Sequence, residues 1–342
     1  TSENQQTQLT GTPATSTPPA SPPPPPPDTT PPDIAFALEE CIGLSLSSDG
    51  CLLANSAIHL SWSSAANDFD HFEITCEVNG SPCAGFSFAP TSATSTEYAI
   101  ALENKLYTFK AKAIDAAGNI SSEETRQVIF SAMPVVINEV AWMGTGSSAT
   151  TSKDEWIELY NNTDYAVNLS GWTISFYEQG TTTPSKTIAL SGTITARDFY
   201  LIERKNDLAV SDVSADLTYG NDGPDWALNN NGMIVKLERG AAVIDRTPEL
   251  CGGNWCAGSN ASYDSMERIE PAISGEAPLN WATHSDLGAN IRNGTGADGN
   301  QINGTPKRRS SHNYLIILPI SAPYTKTLSK GNSPYIVSGA LS

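Results

Sequence analysis

The stretch DEWIELYNN at residues 154–162 decides how this chain is read. It places Asp154, Glu155 and Glu158 within five positions, and paired carboxylates are what a glycosidase needs. The residues between them argue for a strand instead. Ile157 and Leu159 alternate with Trp156, Glu158 and Tyr160, giving one aliphatic face and one aromatic–acid face at the period of an extended chain. In a strand the acids are expected to accept from turn and neighbouring-strand donors or to face solvent, and not to flank a cleft.

The segments on either side repeat this pattern. VVINEVAW (135–142) precedes the stretch. YAVNLSGWTISFY (165–177), KTIALSGTITARDFYLIER (186–204) and GMIVKLERGAAVIDRT (232–247) follow it. SG at 170–171 and 191–192, NNNG at 229–232 and RG at 239–240 are hairpin signals. No apolar stripe of helical period reaches helix length, so little helix is expected. Residues 133–310 therefore read as one β-rich unit.

Residues 33–132 read as another. AIHLSWS (57–63) puts Ile58, Leu60 and Trp62 on one face, and HFEITCEV (71–78) does the same with Phe72, Ile74, Cys76 and Val78. LYTFKAKAID (106–115) alternates until its phase slips near Ile114, and RQVIF (126–130) closes the series. Short strands separated by frequent turns predict a β-sandwich. His59 and His71 fall on these strands and are expected at the surface or a loop edge.

The ordered fragments INEVAW, DEWIELYN, VNLSGWTI, LSGTITARDFYLIER, LNNNGMIVKLERGAAVID, SMERIEP, NW (280–281) and NGTP (303–306) resemble the lamin-tail domain in its bacterial secreted form. The resemblance implies an immunoglobulin-like sandwich with no catalytic residues to carry over. Its signature positions here are Asn138, Glu139, Glu155, Trp156, Glu158, Asn161, Gly171 and Trp172. YTFKAKAIDAAGNISS (107–122) resembles the penultimate strand and turn of bacterial fibronectin type III-like and immunoglobulin-like modules. Tyr107 takes the tyrosine-corner position, DTTPP (28–32) a familiar lead-in, and Trp62 the core tryptophan. Four cysteines set this segment apart from plain fibronectin modules.

The flanks differ. Residues 1–32 hold almost nothing apolar beyond alanine, with six consecutive prolines from Pro22 to Pro27. Such a segment cannot bury enough surface to fold and reads as a disordered stalk or linker. Residues 311–342 read as a linker and the start of a further β segment, with KTLSKGNSPYIVSGALS resembling the lead-in to a right-handed parallel β-helix. The start at Thr1 looks like a mature or trimmed end, and the chain reads as a fragment of a longer protein.

Of the 342 residues only 16% are charged, and the net charge is −18. It divides evenly, −9 on 33–132 and −9 on 133–309. No domain is basic, so nucleic acid is not an expected partner. No apolar run approaches a membrane span, and YLIILP (314–319) is far too short. Six cysteines form three close pairs, Cys41/Cys51, Cys76/Cys83 and Cys251/Cys256, without the C-x₂-C spacing of zinc or redox sites. Three disulfides and an oxidising compartment are expected.

Candidate chemistry is sparse. The four histidines lie away from any nucleophile motif, and no catalytic residue is expected. No cofactor is expected except calcium, for which NDGPD (221–225) and GADGNQING (296–304) offer Asp222, Asp225 and Asp298 without matching an EF-hand loop. Trp255, inside CGGNWC, is the candidate binding contact, with lid or core packing as the competing reading; the other tryptophans of the unit should be core. The expectation is an all-β chain of two tandem immunoglobulin-like β-sandwiches behind a disordered Pro-rich segment. Its expected role is a non-enzymatic extracellular or cell-surface bacterial module for adhesion, binding or spacing. Its partner would be a protein or glycan at the cell exterior, or a second copy meeting it through a sandwich edge or the N-terminal segment. The alternatives are an accessory region of a secreted hydrolase and a subunit of an extracellular filament or surface layer.

Overall fold

Alternating side chains give each strand a face to bury, and two sheets bury those faces against each other. A computed structural model describes residues 25–41, 51–53, 56–86, 90–148, 151–220, 226–286 and 291–314. The first unit contains β1 (Ala35–Leu38), β2 (Cys51–Leu53), β3 (Ala57–Ser63), β4 (Phe69–Val78), β5 (Ser81–Pro82), β6 (Ser95–Ala99), β7 (Leu106–Asp115) and β8 (Glu124–Phe130). They form a three-stranded sheet, β1–β3–β6, and a five-stranded sheet, β2–β8–β7–β4–β5. Ile58, Leu60, Trp62, Phe72, Ile74, Tyr107 and Phe109 are buried in the core, as the alternation predicts. The Tyr107 hydroxyl accepts from the Leu102 backbone N–H at 3.0 Å and pins the chain five residues upstream.

The second unit contains β9 (Val135–Ala141), β10 (Trp156–Asn161), β11 (Val167–Asn168), β12 (Trp172–Tyr177), β13 (Lys186–Ala189), β14 (Thr193–Ile194), β15 (Phe199–Arg204) and β16 (Leu217–Tyr219). It continues with β17 (Ile234–Arg239), β18 (Ala242–Arg246), β19 (Met266–Arg268) and β20 (Trp281–Thr283). A six-stranded sheet, β16–β15–β10–β9–β19–β20, faces a four-stranded sheet, β13–β12–β17–β18, and β11 pairs with β14. Ile157, Leu159, Ile202, Ile174, Phe176, Val235 and Leu237 belong to one buried cluster. The fold is all-β, and its helical pieces among the described residues are short 3-10 turns. None of these helices is long and apolar enough to cross a membrane.

The cysteines pair as Cys41–Cys51, Cys76–Cys83 and Cys251–Cys256. Each closes a short loop, worth on the order of 2–3 kcal/mol. The stalk residues 1–24 and the proposed β segment at 315–342 lie outside the described residues.

Strand β10 departs from expectation. Both its faces are buried from Trp156 to Asn161. The aromatic–acid face does not meet water, because a segment about 150 residues downstream in the sequence crosses it.

The two units touch. Leu52 and Ile129 of the first join the buried cluster of the second. The Leu106 N–H donates to the Tyr165 hydroxyl at 3.1 Å, and Arg239 Nη1 donates to the Leu52 carbonyl at 2.7 Å. The Arg239 guanidinium lies 5.8 Å from the centre of the Trp172 ring. Replacing Arg239 by Ala removes a charge-assisted hydrogen bond and a cation–π contact, about 2 kcal/mol of coupling. Urea unfolding followed by tryptophan fluorescence is expected to broaden or divide into two steps in that variant; an unchanged curve would show that the junction does not couple the units.

Candidate functional site: a sealed row of glutamates

Strand register, more than sequence proximity, assembles the acids. Glu158 of β10 stands directly opposite Glu139 of β9, and Glu139 stands opposite Glu267 of β19. Directly opposed residues share a face, so the three glutamates form a row across three adjacent strands. All three are fully buried. The register shifts beside Glu158, leaving Asn138 as an extra residue on β9. From that bulge Asn138 Nδ2 donates to Glu158 Oε1 at 2.8 Å.

The cover is the strap of residues 303–312. The Thr305 N–H donates to Glu139 Oε1 at 2.9 Å and its hydroxyl to Oε2 at 2.7 Å. The Ser265 hydroxyl also donates to Glu139 Oε1. The Lys307 N–H donates to Glu158 Oε2. Lys307 holds a left-handed φ of 56°, uncommon for a residue with a side chain. Ser310 Oγ and the Ser311 N–H and Oγ donate to Glu267 Oε2 at 2.7–2.8 Å, while His284 Nδ1 lies 2.5 Å from Oε1. Every carboxylate oxygen of the row is engaged. Gly304 makes the close approach feasible: a Cβ there would sit 2.7 Å from Glu139 Oε1 and 2.8 Å from the Trp156 ring.

Burial is the main reason that Glu139 and Glu158 hold their protons far more tightly than ordinary glutamates. The neighbouring Glu267 charge adds to the effect on Glu139, and Glu139 adds to that on Glu158. The donors oppose this without cancelling it. Glu203 of β15, also buried, receives the Ala209 and Val210 N–H groups at 2.9 and 3.1 Å. Burial raises it to about 7.

Two buried ion pairs fix the surroundings. Arg268 Nη1 donates to Asp245 Oδ2 and to the Ile137 carbonyl, while Asp245 Oδ2 accepts from the Ile137 N–H at 2.8 Å. This pair ties the edge strand β18 of one sheet to the middle strand β9 of the other. Arg204 Nη1 donates to Glu155 Oε1 at 2.9 Å, and Glu155 Oε2 accepts from the Leu228 N–H at 2.8 Å.

The signature positions thus divide. Asn138, Glu139, Glu158 and Trp156 gather under the strap, and Glu155 holds Arg204. Asn161 is a separate knot: its Nδ2 reaches the Tyr165, Ile194 and Thr195 carbonyls, and its Oδ1 accepts from Thr163. Gly171 occupies a turn at φ 78°, and Trp172 is buried beside the junction.

Trp255 is not presented for binding. It is 8% exposed, stacks on Trp142 with ring centres 5.9 Å apart, and donates its Nε1–H to the Asn229 carbonyl at 2.8 Å. Its disulfide-closed loop folds the indole inward as a lid. The acids of DEWIELYNN do not face solvent either, since Asp154, Glu155 and Glu158 are all buried. Asp222 and Asp225 lie outside the described residues; Asp298 lies on an exposed loop. His71 pairs with Asp70, and exposed His59 with Glu40.

Glu267, His284 and the two strap serines were not singled out by the sequence. SMERIEP was noted only as one fragment of the lamin-tail resemblance. Also missed were Asp28, Asp68 and Asp115, whose carboxylate oxygens converge within 4.8 Å of one another. Asp115 Oδ1 closes the DAAGN turn by accepting from Ala117 and Asn119. Hydrogen bonding to Asp28 raises the pKa of Asp68.

Fold and site together define an all-β, disulfide-closed chain of two packed sandwiches whose second unit is sealed by a strap over buried acids. Residues 130–248, about a third of the chain, match the family model described as Lamin Tail Domain. The match takes in β9 to β18, with Glu139 and Glu158, and stops before β19 and the strap. No curated protein matches the chain. Among solved structures, a DUF4876 family protein from Bacteroides thetaiotaomicron is 10% identical at a TM-score of 0.31, covering 66% of this chain and 90% of its own. Chitinase ChiA74 from Bacillus thuringiensis is 18% identical at 0.20, over 50% of this chain and 26% of its own. The SrpA adhesin from Streptococcus sanguinis is 15% identical at 0.18, over 40% and 88%.

Two measurements test the buried acids. Folded Glu203 keeps a proton that the unfolded chain has lost between about pH 4.5 and 7, and Glu139 and Glu158 shift in the same direction. Stability therefore falls as pH rises through this window. For Glu203 alone the loss is on the order of 3 kcal/mol. Urea midpoints are expected to be higher at pH 5.5 than at pH 8, with a flatter slope for Glu203→Gln; midpoints rising with pH would contradict the burial argument. Glu139→Ala leaves Ser265 and Thr305 without their acceptor and is expected to cost about 3 kcal/mol or more. Hydrogen exchange should then accelerate at the Thr305 and Lys307 amides before that of β15; equal protection of the strap would remove its dependence on Glu139.

Proposed function

We propose that this chain is a non-enzymatic module of an extracellular or cell-surface bacterial protein, acting in adhesion, binding or structural spacing. The observation that carries the reading is the engagement of all six oxygens of the glutamate row by protein donors. Of the acids that suggest chemistry in the sequence, Glu158 holds the strap and Glu155 holds Arg204. Three disulfides suit an oxidising exterior. The first sandwich is read as a fibronectin type III-like or immunoglobulin-like module, which the Tyr107–Leu102 bond supports. The second is read as the secreted bacterial form of the lamin-tail domain. A net charge of −18 disfavours nucleic acid as the partner.

Self-association is a second reading, favoured by one feature. Among the described residues the edges of β13 and β16 are unpaired and line a cleft of about 300 Å³ formed by residues 186–189 and 217–220, where an added strand would meet two sheets.

The test is to screen the full chain against glycan and matrix-protein arrays while assaying hydrolysis of the same glycans. Binding without turnover is expected. Turnover that disappears in a folded Glu158→Gln variant would overturn the non-enzymatic reading. Concentration-dependent growth of the particle in size-exclusion chromatography would favour self-association.

A further inference from the structure

The six-stranded sheet ends differently at its two edges. At β20 the outward backbone groups are largely taken. The Thr283 N–H donates to Asp286 Oδ2 at 2.9 Å, and the Thr283 carbonyl lies 3.0 Å from His312 Nε2. The Trp281 N–H donates to the Pro278 carbonyl. An edge capped in this way is a poor template for another strand. At the opposite edge, β16 faces β13 of the other sheet across the cleft of residues 186–189 and 217–220. The Leu190 N–H donates to the Trp172 carbonyl, so alternation along β13 turns the backbone groups of Thr187 and Ala189 away from β12. Among the described residues nothing pairs with them. Thr187 and Ala189 are exposed, Ile188 between them is buried, and Leu217 of β16 is half-buried. The cleft therefore offers backbone donors and acceptors together with aliphatic side chains.

The described chain leaves the unit at the capped edge. His312 is bonded to Thr283 of β20, and the Ser311 N–H to Glu267 of β19. The residues that follow Tyr314 are LIIL, 315–318, all aliphatic and two of them β-branched. That composition suits a strand. These residues cannot pair with β16 of their own copy. The β16 edge lies five strand spacings from β20, about 24 Å. Ile316 reaches no more than about 7 Å beyond Tyr314. An acceptor for them with two open edges is found on a second copy.

We propose that residues 315–318 of one copy enter the β13–β16 cleft of a second copy as an added strand. The proposal rests on the self-association reading and names its donor and its acceptor. Donor and acceptor stand at opposite edges of one sheet, so the contact is head-to-tail and repeats from copy to copy. The donor backbone would pair with Thr187 and Ala189, and alternate donor side chains would pack toward Ile188 and Leu217.

The experiment is size-exclusion chromatography with light scattering on the full chain. The apparent mass is expected to rise about twofold or more between about 1 and about 100 μM. Ile316→Asp combined with Ile317→Asp charges both faces of the donor and should leave a monomer. Thr187→Pro removes an outward N–H from the acceptor edge and should do the same. Mixed together, the two variants should form a dimer and nothing larger, because each supplies the half that the other lacks. If Thr187→Pro fails to fold, a fluorescein-labelled peptide of residues 313–320 decides. It should bind saturably to the full chain carrying Ile316→Asp and Ile317→Asp, and absence of binding would overturn the proposal. If the donor variant associates as the native chain does, strand donation falls while self-association stands. If the native chain stays monomeric throughout, both fall.

Discussion

Glu158, Glu139 and Glu267 stand directly opposite one another on three adjacent strands, and such a row persists only under a cover that supplies donors. Like charges opposed across a sheet repel, and burying them removes the water that would screen them. The chain meets both costs with proton retention and with donors from the strap. This explains the residue types in the strap. Gly304 has no side chain to collide with Glu139, Thr305 offers an amide and a hydroxyl, and Ser310 and Ser311 converge on one oxygen of Glu267. The six-stranded sheet is therefore finished from both directions, by β19 beside β9 and by the strap across its outer face.

The same polar groups fix register. A slip of one residue in β10 would turn Glu158 into the apolar core and Ile157 toward the strap. The Asp245–Arg268 pair constrains the other sheet, because Arg268 reaches the Ile137 carbonyl while Asp245 takes the Ile137 N–H. One residue of β9 is thus gripped from both sheets at once. A buried ion pair is a weak source of stability, since desolvation offsets much of its attraction. Its value here is that no other alignment of β9, β18 and β19 satisfies the same atoms.

Period-two alternation made β3, β4 and β7 legible, because their apolar sets occupy one face over five or more residues, and β10 by the shorter alternation of Ile157 and Leu159 with Trp156, Glu158 and Tyr160. Close spacing made the disulfides legible, because two cysteines five to ten residues apart can meet by closing a single loop. Very short strands such as β5, β11 and β20 carry too few residues for a period to register. Of the two fates the pattern allows the β10 acids, neighbouring donors or solvent, the first holds, with Asn138 donating to Glu158; the further cover by NGTP and the residues after it is not legible, because local pattern cannot report a contact made at that separation. Trp255 could be read either way for a related reason. A tryptophan in a clipped loop presents or packs according to what lies beneath it, and Trp142 lies beneath it.

The ends of the second unit meet at the row. Chain entering at Val135 reaches Glu139 within one strand, and chain leaving through the strap passes Thr305, which is bonded to Glu139. Tension applied along the polypeptide would load this contact, and the Lys307–Glu158 bond beside it, before it reached the apolar core. At the upstream junction Arg239 and the Leu52 carbonyl carry the load into the first sandwich. Glu158, which suggests catalysis in the sequence, thus serves in the fold as a fastening for the strap.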